Sequence, residues 1–133
     1  MVVDTCFCID IIRERKAGVQ GPGLKKLNSL KNHQLYISLF SVCELRAGAE
    51  LTKKAKVELG KIELLLDYIN IVYPDVSFSV LYGEAEASLR RNGTPIPVMD
   101  LLIGISAKSL GMPLVTKDEK HFCLIPGLAV ETY

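Results

Sequence analysis

Met1-Val2-Val3-Asp4-Thr5 opens the chain: a short apolar run ends on a carboxylate and passes at once into an apolar helical stretch that reaches Ile12. A run of this kind reads as a strand buried on both faces that feeds a crossover, the habit of parallel sheets. The same sequence of strand, polar junction and helix recurs along the chain. Gln34-Leu35-Tyr36-Ile37-Ser38 reads as a second strand, followed by a helix from Ser41 to Gly48. Ile69 to Tyr73, Pro113 to Thr116 and Leu128 to Thr132 supply further β-branched or apolar runs of strand length.

Between them lie helical segments with readable punctuation. Gly21-Pro22-Gly23 breaks the chain, and Leu24, Leu27 and Leu30 then recur at helical spacing. Leu59, Ile62, Leu65, Leu66 and Ile69 mark the apolar side of a helix from Lys53 to Tyr68. A helix from Ser77 to Arg91 closes on Asn92-Gly93, suited to a left-handed C-cap. After Pro95-Ile96-Pro97 another runs from Asp100 to Leu110 and stops at Gly111. Strands alternating with helices predict an α/β fold, a three-layer α/β/α sandwich around a mostly parallel sheet with the first strand central. At 133 residues the chain is expected to form a single domain, 1–133.

Asp4, Glu44, Asp100 and Asp118 are far apart in sequence, yet each stands where a strand gives way to a loop or helix. Carboxylates at the carboxyl ends of parallel strands converge, because that edge is where open α/β sheets bind ligands. Uncancelled carboxylates in one crevice repel one another, and a divalent cation with a taste for oxygen, Mg²⁺ or Mn²⁺, relieves them. Each acid also has a purely structural alternative. Asp4 and Asp100 suit helix N-caps, Ser41-x-x-Glu44 fits a capping box, and Asp118 suits a turn.

The net charge of +1 does not announce a nucleic-acid binder. Locally, Arg13, Arg15, Lys16, Lys25, Lys26 and Lys31 stand against Glu14 alone, a basic flap that either meets phosphates or is ordinary solvated surface. No aromatic residue interleaves these charges as a stacking platform would require. The cysteines, Cys6, Cys8, Cys43 and Cys123, do not follow zinc-knuckle spacing. The opening MVVDTCFCIDII lacks a basic n-region and no apolar run reaches membrane-spanning length, so a cytoplasmic protein with reduced thiols is expected.

Four motifs in order tie the acids together: Val2-Val3-Asp4-Thr5, Ser41-Val42-Cys43-Glu44-Leu45-Arg46-Ala47-Gly48, Pro97-Val98-Met99-Asp100-Leu101-Leu102-Ile103 and Leu114-Val115-Thr116-Lys117-Asp118. With them the chain resembles the PIN-domain family, and within it the VapC-type toxins of toxin–antitoxin pairs. Asn92-Gly93, His121-Phe122 and Pro126-Gly127-Leu128 are similar to the family's running pattern, and the resemblance spans essentially the whole chain. It departs at Cys6, where the family often has asparagine, and at Gly104, where alanine is frequent.

The resemblance implies a metal-dependent endoribonuclease in which Asp4, Glu44, Asp100 and Asp118 hold one or two Mg²⁺ or Mn²⁺ ions, Asp4 and Asp100 most firmly. Thr5 and Thr116 would orient ligands or water, or else serve packing and turns. Arg46, Lys117 and Lys120 are candidates for RNA phosphate contacts, with plain surface charge as the alternative. His121 tempts as a general base, although metal activation makes an imidazole unnecessary; His33 reads as solvent-facing. The resemblance also implies a homodimer and a VapB-type antitoxin whose C-terminal segment lies in the active-site groove.

Three readings compete. A receiver-like signalling domain lacks support because the usual acidic pair after the first strand is absent. An RNA-processing PIN nuclease without an antitoxin and a non-catalytic PIN domain that binds RNA or a partner both stay open.

Overall fold

The computed structural model, which describes residues 1–133, runs in the order β1 (Val2–Val3), α1 (Thr5–Ala17), α2 (Pro22–Ser29), β2 (Tyr36–Ser38), α3 (Leu39–Glu50) and α4 (Ala55–Leu66). It continues through β3 (Asn70–Val72), α5 (Phe78–Arg91), α6 (Val98–Ser109), β4 (Leu114–Val115), α7 (Glu119–Phe122) and β5 (Val130–Glu131). The strands form one sheet in the order β3-β2-β1-β4-β5, and every neighbouring pair is parallel. The first strand is therefore central, as expected. The chain builds outward from β1 through β2 to β3, then crosses to the other side of β1 for β4 and β5. The gap between β1 and β4 is the point where strand order reverses, the place such sheets reserve for a site.

The two residues of β1 show why so short a strand suffices. Val2 and Val3 are both fully buried, but successive side chains leave a strand on opposite faces. Val3, Ile37 and Val115 pack with Phe7, Cys8 and Ile11 of α1, Val42 and Leu45 of α3, and Ile62 and Leu65 of α4. Val2 and Leu114 pack instead with Phe78, Ala85 and Leu89 of α5, Leu101, Ile103 and Ile105 of α6, and Phe122 and Ile125 beyond. Two apolar cores on two faces make the three layers. A slip of one residue in β1 would exchange the faces, so the register is held by both cores at once.

Helix ends depart from the sequence reading in instructive ways. α1 runs five residues beyond Ile12, to Ala17, and stops at Gly18, whose φ of 67° supplies the left-handed cap. α2 begins at Pro22 with no side-chain cap of its own. Glu14 of α1 does the capping from a distance, its Oε1 accepting from the Gly23 N–H at 3.0 Å and its Oε2 from the Leu24 N–H at 2.7 Å. α3 starts at Leu39, not Ser41, and its N-cap is Ser38, whose side chain accepts from the Ser41 N–H at 2.9 Å. Ser41 is thus a partner of the cap, and the capping box with Glu44 does not exist. α6 starts at Val98 with Pro97 in the cap position, so Asp100 is in its first turn and is not its N-cap.

Candidate active site

Asp4 stands directly after β1 and does two jobs with its two oxygens. Oδ1 accepts from the Phe7 N–H at 2.8 Å, the N-cap of α1. Oδ2 accepts from the hydroxyl of Thr116, which follows β4, and from the Cys6 thiol at 2.8 Å. The carboxylate is 3% exposed, and that burial pushes its pKa up against the lowering effect of the Cys6, Thr116 and Phe7 hydrogen bonds. Thr116 itself is fully buried and also accepts from the Asp118 N–H at 2.9 Å, so one hydroxyl ties the ends of β1 and β4 together.

The other acids arrive on separate elements. Glu44 projects from α3, half-buried, and takes a short hydrogen bond from the Thr5 hydroxyl at the start of α1. Asp100 comes from the first turn of α6 on the opposite side, and Asp118 from the cap position of α7. All four carboxylates line one open crevice of about 240 Å³ together with Thr5, Cys6, Ile9, Ile103 and Phe122. The expected convergence is therefore present, but strand-end placement accounts only for Asp4 and Asp118; Glu44 lies within α3 and Asp100 in α6, which follows α5, so helix packing brings these two in. Neither Lys nor Arg forms an ion pair with any of the four; His121 is the one basic group within ion-pair distance of them, and Lys117 acts on Asp4 only from farther off. Its Nδ1 lies 2.7 Å from Asp100 Oδ2 and 3.8 Å from Asp118 Oδ2.

This concentration of hard oxygen donors with no lysine or arginine paired to it is what a divalent cation fits. One ligand atom each from Asp100, Asp118 and His121 lies within 4.8 Å of the other two. Buried side-chain nitrogens and oxygens all have hydrogen-bond partners, those of Asp4 and Thr116 in the site among them.

The basic candidates are placed differently. Arg46 points along the outside of α3 to pair with Glu63 at 2.8 Å, and Lys117 pairs with Asp10 at 2.6 Å. Lys120 is exposed and unpaired beside Asp118. His33 is exposed ahead of β2, at the far end of the sheet. The four cysteines are free, and no helix is long and apolar enough to cross a membrane. What sequence reading undervalued is His121. Its signal was the spacing of three from Asp118, one helical turn, which needed α7 to be recognised.

An all-parallel sheet with acids gathered at its reversal point defines the class of α/β proteins with a cation-fitting site at the sheet's carboxyl edge, and comparison narrows it. The PIN domain family model matches residues 1–128. A Haemophilus influenzae protein, Ribonuclease VapC1, is 33% identical over 99 residues, covering 74% of each chain. The tRNA(fMet)-specific endonuclease VapC of Shigella flexneri is 29% identical over 132 residues, 99% of this chain and 96% of that one. Among solved structures, VapBC2 from Rickettsia felis bound to a promoter DNA fragment superposes with a TM-score of 0.89 at 26% identity, covering 99% of this chain and 97% of its counterpart. The chain belongs to the PIN-domain family and, within it, to the VapC-type proteins.

Proposed function

We propose that this protein is a metal-dependent endoribonuclease that acts as the toxin of a toxin–antitoxin pair. The observation that carries the reading is the meeting of Asp4, Glu44, Asp100 and Asp118 in one crevice of a VapC-type chain. These residues would hold Mg²⁺ or Mn²⁺. When bound, such an ion activates water for attack on a phosphodiester and neutralises charge on the departing oxygen. The chain's own part is positional. Thr116 and the Phe7 N–H fix Asp4, and Thr5 fixes Glu44, while His121 Nδ1 stands 2.7 Å from Asp100. Lys117 and Lys120 flank the crevice on the Asp118 side, where RNA phosphates would meet them. The pair of Lys117 with Asp10 is half exposed, worth about 0–1 kcal/mol, and a phosphate can displace it. Arg46 would contact phosphate only after releasing Glu63.

A second groove adjoins the crevice and shares Ile9 and Glu44 with it. Ile12, Leu45, Ala49 and Ile62 line it between α1, α3 and α4. Its apolar floor suits the C-terminal segment of a VapB-type antitoxin, with a basic side chain reaching the carboxylates. Exposed Tyr73, Val76 and Val80 around the start of α5, Val76 being 97% exposed, support a homodimer. The setting is cytoplasmic.

The test uses charge removal without change of shape. Glu44→Gln and Asp100→Asn touch neither helix cap, so both variants are expected to fold with wild-type thermal stability. RNA cleavage in Mg²⁺ should fall by more than the ~10–100-fold that loss of a supporting group costs, with partial rescue by high Mn²⁺. Two folded variants that cleave RNA at the wild-type rate would exclude the assignment. Light scattering that finds only monomer would remove the dimer, and purification from the native operon without a small partner would count against the antitoxin.

A further inference from the structure

The crevice has two chemically different halves. Asp4 and Glu44 on one side are surrounded by hydroxyls, a thiol and a backbone N–H, with oxygen the only donor of consequence for a hard ion. Asp100 and Asp118 on the other side converge on an imidazole nitrogen. The ring has little freedom to be elsewhere. α7 is a single turn whose Phe122 is buried in the core beneath α6, and Gly104 of α6 leaves room for Ile125 at a spot where a Cβ would fall 2.3 Å from Ile125 Cδ1. α7 thus packs against α6, which carries Asp100, and His121 stands beside it.

We infer that His121 is itself a metal ligand, completing with Asp100 and Asp118 an imidazole-bearing half-site that takes Mn²⁺ in preference to Mg²⁺. The inference rests on the reading of the crevice as a metal site and adds to it a ligand and a selectivity. Donors sharing one ion through bonds of about 2.0–2.2 Å stand roughly 3 to 4.4 Å apart. The separations from His121 Nδ1, 2.7 and 3.8 Å, need only tenths of an ångström to match, with no change of rotamer. Facing a carboxylate oxygen with no ion between them, Nδ1 would carry the proton; with the proton on Nε2 the same nitrogen offers a lone pair to an ion in that position. Imidazole suits first-row transition ions; Mn²⁺ is the most oxygen-seeking of them and shares carboxylate sites with Mg²⁺, but it accepts a nitrogen donor more readily than Mg²⁺, which keeps to oxygen and water.

The competing role is a hydrogen bond that positions Asp100 and never touches the ion. Electron spin-echo modulation of Mn²⁺ bound to the full-length protein separates the two, because a directly bound imidazole couples its ¹⁴N to the manganese. Only His33 and His121 carry imidazoles in this chain, and His33 is at the opposite end of the sheet. The expected result is a ¹⁴N coupling in the wild type that changes on ¹⁵N-histidine labelling and disappears in His121→Gln. Mn²⁺ affinity should drop by about tenfold or more in that variant while Mg²⁺ affinity, measured by competition, moves less than about threefold. Mn²⁺ that binds, is lost on Asp100→Asn, and shows no histidine coupling in the wild type would overturn the inference and leave the acidic site intact. Binding of Mg²⁺ without Mn²⁺ would overturn the inference alone, and failure of the wild type to bind either ion would overturn both. The labelled wild type decides the point even if His121→Gln does not fold.

Discussion

Thr116→Val removes one buried hydroxyl and almost no volume, so its cost isolates the tie between the ends of β1 and β4. In the folded protein that hydroxyl donates to the Asp4 carboxylate and accepts from the Asp118 N–H. A hydrogen bond to a charged group contributes about 1.5–3 kcal/mol, and the Asp118 N–H, beside solvent, recovers part of its loss from water. A destabilisation of about 2 kcal/mol is expected near neutral pH without metal, or roughly 6–10 °C in Tm for a chain of this size. Its pH dependence has a definite sign. Burial raises the Asp4 pKa in the fold, so the folded state binds the proton more tightly than the unfolded one, and stability falls as pH rises from the ordinary carboxylate value through the raised one. Without the Thr116 donor the pKa rises further. The penalty of the substitution is therefore full above that raised value and shrinks in acid, where Asp4 is neutral. Urea unfolding in EDTA across pH 4–8, repeated with Mn²⁺, measures both effects; Mn²⁺ affinity should drop by about 10–100-fold. A variant within about 0.5 kcal/mol of wild type at neutral pH with unchanged Mn²⁺ affinity would show that Thr116 does not hold Asp4.

Three further outcomes are expected. Gly104→Ala gains up to about 1 kcal/mol of helix propensity but drives a Cβ into Ile125, an overpacking cost of about 1–3 kcal/mol; net destabilisation, relieved by adding Ile125→Val, should appear in urea unfolding, and net stabilisation would contradict the close approach. Glu14→Gln replaces one of two accepting oxygens with a donor and should cost about 1–2 kcal/mol, read as a lower Tm and faster amide exchange at Gly23 and Leu24. Alkylation at pH 8 should modify exposed Cys43 and Cys123 first and leave Cys8, fully buried with its pKa pushed far up by desolvation, untouched until the protein unfolds.

The alternation of elements was legible because each strand is a short apolar run bounded by a polar junction, and Asp4 and Asp118 were legible because they follow strands; Glu44, inside α3, and Asp100, in the first turn of α6, do not stand at such junctions. What stayed hidden was set by contacts distant in sequence. Gly21 looked like part of a break, yet it sits where a Cβ would collide with Glu14 Oε1 at 2.3 Å, so the break is the start of a helix capped across a turn. Ser41-x-x-Glu44 matched a capping box by spacing alone; the last residue of β2, Ser38, caps instead because α3 follows the strand without a loop. The preference of aspartate for cap positions likewise drew the start of α6 two residues too late, past Val98 and Met99. α7, a single turn, is too short to show a period, and with it went the position of His121.

Treating cap and ligand as rival roles for these acids was itself the wrong division, as Asp4 demonstrates. Its Oδ1 is committed to the Phe7 N–H at the positive end of α1, and its Oδ2 to Thr116 and Cys6 on the crevice side. The helix terminus offsets part of the cost of burying a carboxylate at this point, through the N–H groups and dipole it presents to the anion. The offset is incomplete, since burial still leaves the Asp4 pKa raised. Three more carboxylates then face the same crevice with a single imidazole against them. Capping fixes where the charge sits, and the residual repulsion is what a cation would relieve. The same contact that makes Asp4 a good N-cap thus makes it a preorganised ligand, and a substitution that spares the cap, such as Thr116→Val, tests the second role without destroying the first.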